Sequence, residues 1–132
     1  MLAHLPGAGA ENFVFTPHLI PINRGILSTM YLAPAEHFGN AADMFALTGK
    51  VTACYQQAYG NEPFVRLLEG EALPDTKNVV GTNMIEIAWR LDGRTGRLIV
   101  MSALDNIVKG AGGQAVQSMN ILCGFEETAG LL

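Results

Sequence analysis

Two apolar runs, residues 83–90 and 97–103, flank the segment Asp92-Gly93-Arg94-Thr95-Gly96. The runs are rich in β-formers and the segment between them carries turn chemistry, so the pair reads as an antiparallel hairpin. Two arms of this length must bury at least one face, which commits this half of the chain to a sheet. The second arm ends at Asp105-Asn106. A Lys109-Gly110-Ala111-Gly112-Gly113 turn follows, and then an apolar helix from Gly112 or Gly113 to Leu122. Ala115, Val116, Met119 and Leu122 fall on one face of that helix, and Gly124 terminates it. Glycines at such a turn let a backbone approach a ligand closely, and a helix start offers free N–H groups to an anion or polar head.

Upstream, residues 12–16 form a short β-type run stopped by Pro17. Residues 17–23 should be extended and irregular, because Pro17 and Pro21 both lack an amide donor. Residues 25–32 read as a longer strand, ended by Pro34. Residues 35–47 are ambiguous and weakly helical. Thr48 is the expected N-cap of a helix whose apolar stripe is Val51, Cys54, Tyr55, Ala58 and Tyr59, stopped by Gly60-Asn61. Residues 64–68 make a short strand, and Gly70 to Asp75 a loop. The order β-β-α-β-β-β-α predicts an α+β fold: a mostly antiparallel or mixed sheet covered by helices on one face. Residues 1–11 read as an artificial start or a domain edge, and residues 12–132 as a single α+β domain. No strand-GxGxxG-helix unit occurs, so a Rossmann half is absent.

The chain has 132 residues, 49% hydrophobic and 15% charged, with a formal net charge of −4. About a quarter charged is usual, so either the core is large or a face is buried against another surface. Without a basic run, neither a nucleic-acid footprint nor a polybasic membrane patch is expected. No apolar run reaches the roughly 18–20 residues of a membrane span, and the start lacks the regions of a secretory signal. Cys54 and Cys123 show no metal-ligand spacing. They read as buried, reduced thiols of a cytoplasmic protein, not as a disulfide, a metal site or nucleophiles.

The polar candidates each carry two readings. Asp105-Asn106 is either a helix-entrance turn capping its own backbone or a place where Asn106 meets a ligand amide, since asparagine both donates and accepts. Arg24, at the start of a strand, is a surface arginine or a bidentate anion ligand. His18 lies in an irregular segment that could line a cleft, but lacks an orienting partner. The Lys109-to-Gly113 turn is not a P-loop, because the GxxxxGK[ST] order is missing.

Three blocks together resemble one family. They are residues 15–27 (Phe-Thr-Pro-His-Leu-Ile-Pro-Ile-Asn-Arg-Gly-Ile-Leu), residues 62–66 with 76–83, and residues 104–120 followed by Gly-Phe-Glu-Glu-Thr-Ala-Gly-Leu at 124–131. They resemble N-acetyl-gamma-glutamyl-phosphate reductases in order and approximate spacing, over nearly the whole chain from Asn12. The resemblance implies an NADP-dependent enzyme of arginine biosynthesis that reduces an acyl phosphate to a semialdehyde. It implies a second domain similar to the C-terminal domain of glyceraldehyde-3-phosphate dehydrogenase, with a homo-oligomer interface on its sheet. NADP would be shared with a missing N-terminal domain.

The departures limit what is carried over. The family's Gly-Cys-Tyr-Pro-Thr nucleophile motif is absent, since Ala53-Cys54-Tyr55-Gln56-Gln57 lacks the glycine and the Pro-Thr. The His-Arg-His-x-Pro-Glu motif is absent too, and Ile26 stands where related aspartate-semialdehyde dehydrogenases have a histidine. No catalytic residue is therefore assigned. The resemblance implies that Asn106, Gly110, Gly112, Gly113 and Gln114 border the cofactor and that His18 and Arg24 border the acyl phosphate. Two functions follow as expectations: a portion of the reductase, inactive by itself, or a stand-alone oligomerisation or binding domain of the same fold. The arginine-pathway substrate is not separable from the related lysine-pathway one at this level.

Overall fold

The computed structural model describes residues 14–34 and 39–132. Its strands are β1 (Ile26–Leu32), β2 (Val65–Leu67), β3 (Ile85–Asp92) and β4 (Arg97–Leu104); its helices are α1 (Ala41–Tyr59) and α2 (Gly113–Cys123). The sheet order is β1-β4-β3-β2. The β3–β4 hairpin and the β1–β4 pair are antiparallel, while β2 runs parallel to β3. The starts of β1, β2 and β3 and the end of β4 therefore share one end of the sheet. Gly96 closes the hairpin with φ 66°, a left-handed conformation that glycine adopts without a Cβ penalty.

Register decides which side chains share a face. Met30, Val100 and Trp89 lie in one cross-strand row, and Leu27, Ala103 and Glu86 in a row of the opposite face. Helix α1 covers the Trp89 face. The Tyr55 ring stacks on Trp89 with centroids 4.5 Å apart and planes 5° off parallel, and Trp89 Nε1 donates to Thr52 Oγ1 at 3.2 Å. On the other face, the loop from β2 to β3 folds back over β3. There the buried Glu86 accepts from Arg66 Nη1 at 2.9 Å, from the Asp75 N–H at 3.1 Å and from Asn78 Nδ2 at 3.4 Å. The buried hydrophobic residues are Phe64, Val79, Ala88, Trp89, Val100 and Ala103. Leu27, Met30, Tyr31 and Leu32 of β1 stay exposed, because neither α1 nor the loop reaches that edge.

The α+β class, the mixed sheet and the hairpin agree with the sequence reading. Several local expectations do not. Residues 14–16 form no strand, and residues 12 and 13 lie outside the described residues. Pro17 removes a ladder donor there, and Val14 and Phe15 find no surface to pack on. Helix α1 starts seven residues before Thr48. Asn40, a stronger cap, accepts the Asp43 N–H at 3.0 Å, while Thr48 sits inside the helix and donates to the Met44 carbonyl at 2.8 Å. The expected buried thiols are both exposed. On α1, Tyr55 packs on the sheet, while Cys54 and Ala58 of the same stripe stay exposed because nothing covers them.

Helix α2 differs as well. Its stripe of Ala115, Val116, Met119 and Leu122 is exposed, and its buried residues are Gly113 and Asn120. The sheet face is thus covered by α1, while α2 is tied to Asn83 and to the C-terminal tail at the end of the sheet. Gly124 ends α2 as expected, at φ 73° with its N–H and that of Phe125 turned back on the last carbonyls.

Candidate functional site

The sheet end where β1 begins and β4 finishes gathers the polar residues. Asp105, the first residue after β4, is fully buried. Its Oδ2 accepts the Gly81 N–H at 2.7 Å and pairs with Arg24 Nη2 at 2.7 Å. Its Oδ1 accepts the N–H groups of Ile107 at 2.7 Å and Val108 at 2.9 Å. Burial pushes its pKa up, but the Gly81, Val108 and Ile107 amides together with Arg24 outweigh that and hold the carboxyl well below the usual carboxylate range. Next along the chain, Asn106 Oδ1 accepts the Gly25 N–H at 2.7 Å. Gly25 has φ 119°, and a Cβ on it would lie 2.8 Å from Thr76 Cγ2. An Arg-Gly pair before β1 is therefore clamped by an Asp-Asn pair after β4.

Beyond Asn106 the backbone makes a π-helical turn, Val108–Gly112. Gly110 donates to the Asp105 carbonyl at 2.8 Å and Gly112 to the Ile107 carbonyl at 2.9 Å. The glycine-rich segment is thus a wide helical turn feeding α2, of the kind often found at functional sites. Gly113 is buried, and a Cβ there would collide with Asn83 Oδ1 and sit 2.8 Å from Val108 Cγ1. Asn83 Nδ2 donates to Gln117 Oε1 at 3.0 Å. That oxygen also takes Lys109 Nζ at 2.7 Å, and Gln117 Nε2 donates to Glu127 Oε1 at 2.6 Å. Lys109 Nζ lies 5.4 Å from the Phe64 ring centroid. Burial lowers its pKa, and Glu127 and Glu62 offset part of that.

The predicted residues fall out unevenly. Arg24, Asn106, Gly110, Gly112 and Gly113 belong to one connected network. Gln114 is exposed at the start of α2. His18 is exposed, with Nδ1 at 3.1 Å from the Thr16 carbonyl, and it touches none of the network. Asn83, Gln117 and Glu86 were missed. Glu86 had a usable signal, an acid flanked by Ile85 and Ile87 at the start of β3. A hollow of about 300 Å³ between α1 and β3, lined by Thr48, Thr52, Glu69, Trp89 and Arg90, includes none of the predicted residues. Among the described residues no cluster of His, Cys, Asp and Glu could hold a metal ion, and no helix is long and apolar enough to cross a membrane.

Residues 2–106 match the family model described as semialdehyde dehydrogenase, dimerisation domain. The chain belongs to this family. The match ends at Asn106, so the π-helical turn and α2 lie beyond the matched part of the semialdehyde dehydrogenase dimerisation domain. Relatives carrying the name N-acetyl-gamma-glutamyl-phosphate reductase extend over that segment. The one from Citrifermentans bemidjiense is 53% identical over 120 residues, covering 91% of this chain and 32% of the relative. The one from Akkermansia muciniphila is 53% identical over 129 residues, covering 96% and 35%. The one from Geobacter sulfurreducens is 50% identical over 120 residues, covering 89% and 32%. This dimerisation-domain chain spans about a third of the length of these curated relatives.

Proposed function

We propose that this chain is a portion of an NADP-dependent N-acetyl-gamma-glutamyl-phosphate reductase of arginine biosynthesis. It would carry the subunit interface and one wall of the acyl-phosphate site. The observation that supports this reading is the clamp of Asp105-Asn106 on Arg24-Gly25, which joins two of the sequence blocks shared with that family at one end of the sheet. Arg24 is the candidate ligand of the acyl phosphate, because it keeps about a third of its side chain exposed and a guanidinium suits phosphate. His18 is kept as a second candidate at the border of that pocket.

The residues present fit a nicotinamide cofactor in one respect. Asn106 uses its Oδ1 on Gly25, yet it is exposed and its Nδ2 makes no hydrogen bond among the described residues, so an amide donor remains for a carboxamide oxygen. Asn106, Gly110, Gly112, Gly113 and Gln114 would hold that group together with residues of a further domain. The bound cofactor supplies the hydride. Neither the family's nucleophile motif nor its histidine motif occurs in residues 1–132, so the chain by itself would be inactive. Oligomerisation would use the sheet face opposite α1, where Leu27 and Tyr31 are exposed. In that reading the protein acts in the cytoplasm.

The test is phosphate-dependent oxidation of the semialdehyde with NADP, comparing this chain with full-length protein. Turnover only in the longer protein is expected. Turnover by this chain would mean that Cys54 or another residue replaces the nucleophile and would overturn the reading. A full-length protein without turnover would leave a stand-alone interaction domain as the better account.

A further inference from the structure

Asp105 serves two sides of the cluster at once, and no substrate or cofactor role falls to it. One oxygen holds Arg24 and the Gly81 amide; the other holds the amides of Ile107 and Val108, where the glycine turn begins. A carboxylate with no exposed surface and four donors at 2.7–2.9 Å has little orientational freedom. Three backbone amides donate to it besides the guanidinium, so the carboxylate is fixed independently of Arg24 and can set the direction of the arginine. Arg24 Nε is buried without a partner, and Nη2 is taken by Asp105. The Nη1 group makes no hydrogen bond among the described residues and is the remaining edge for an anion.

We infer that Asp105 is a positioning residue, whose carboxylate aims the Arg24 guanidinium at the acyl phosphate and keeps it in register with the glycine turn. The inference rests on the assignment of Arg24 to the anion made above. The segments it joins are far apart in the chain, with Arg24 before β1 and Asp105 after β4. Among the described residues, the ion-pair partner of Arg24 is Asp105 and not a residue near it in the chain.

The experiment measures phosphate-dependent semialdehyde oxidation by the full-length reductase, varying inorganic phosphate. The variants are Asp105→Asn, Arg24→Lys and the double substitution, each with a thermal unfolding curve. Asp105→Asn is expected to raise the phosphate KM about tenfold with a smaller change in kcat. The double variant should match Arg24→Lys alone, because there is then no guanidinium to aim. Should Asp105→Asn fail to fold, Asp105→Ser retains an acceptor for the turn amides but is too short to reach Arg24, and the same rise is expected. A lowered Tm with an unchanged phosphate KM in either variant, or effects that multiply in the double variant, overturns the positioning role. An unchanged phosphate KM in Arg24→Lys, with Asp105→Asn still active, sinks the assignment of Arg24 itself and the inference with it.

Discussion

Asn106 Oδ1 accepts the Gly25 N–H at 2.7 Å, joining residues 81 positions apart in the chain. One side-chain amide thereby pins the start of the edge strand to the end of its neighbour. Its own Nδ2 makes no hydrogen bond among the described residues. Asn106→Ala should lose about 1 kcal/mol of stability through the orphaned Gly25 amide. In full-length protein it should also raise the NADP KM or lower kcat. A loss of stability with unchanged kinetics would sink the cofactor role while leaving the clamp intact.

Gly113 packs its bare Cα against Asn83, where no Cβ fits. Gly113→Ala is expected to destabilise by about 2 kcal/mol, since a Cβ would meet the Val108 carbonyl and side chain and an Asn83 side chain already held by Gln117. Gly124 has open space around it but φ 73°. There the strain is conformational only: Gly124→Ala should cost about 1 kcal/mol and Gly124→Asn less. Urea unfolding of the three variants separates the cases. Equal losses at both glycines would refute the distinction.

Acid should weaken the domain through Asp105. Its folded pKa is depressed, so its contribution is complete above the ordinary carboxylate pKa of about 4 and fades as the pH falls below it. Asp75 and Asp92, lowered by their bonds to Lys77 and Thr95, act in the same direction from the surface. Urea midpoints at neutral pH and through the acid range should fall less steeply in Asp105→Asn than in the wild type. Parallel curves would show that Asp75 and Asp92 carry the effect.

Tyr55 lies flat on Trp89, the single tryptophan of the chain. Tyr55→Ala should destabilise by about 2 kcal/mol and shift the tryptophan emission to the red, since Trp89 is only 6% exposed behind it. Tyr55→Phe preserves the stack and should leave both readings near wild type. An unshifted emission in Tyr55→Ala would place the protection of Trp89 elsewhere.

Leu27 and Tyr31 are 56% and 67% exposed on the face opposite α1. If that face joins two copies, Tyr31→Lys should shift the protein from dimer to monomer in light scattering while the monomer stays folded, because a surface lysine at an exposed site costs the fold little. A dimer that survives both Tyr31→Lys and Leu27→Lys would place the interface on another surface.

Local chemistry alone was enough for the hairpin, the β1 strand, the Gly60 and Gly124 boundaries and the α+β class. Alternation and turn residues act within a few positions of each other, so these elements are legible in a single chain. The residues that resemble the reductase family were legible in the same way, as short strings. The capping of α1 was not: Asn40 and Thr48 are both acceptable caps, and the choice rests on where the preceding backbone turns.

Tertiary structure decided the rest. The stripes on α1 and α2 look like core faces, yet Cys54, Val116 and Leu122 are exposed, because periodicity shows which residues share a face and not whether anything covers it. The glycine turn gave no sign of its π-helical path, which depends on Asp105 capping Ile107 and Val108. Arg24 and Asp105 are paired only because β1 and β4 are neighbours. Sequence determined the types of residue and their local conformations. The fold alone determined that a buried carboxylate, an arginine and a glycine turn meet at one end of the sheet, because sheet register brings together residues that no local spacing relates.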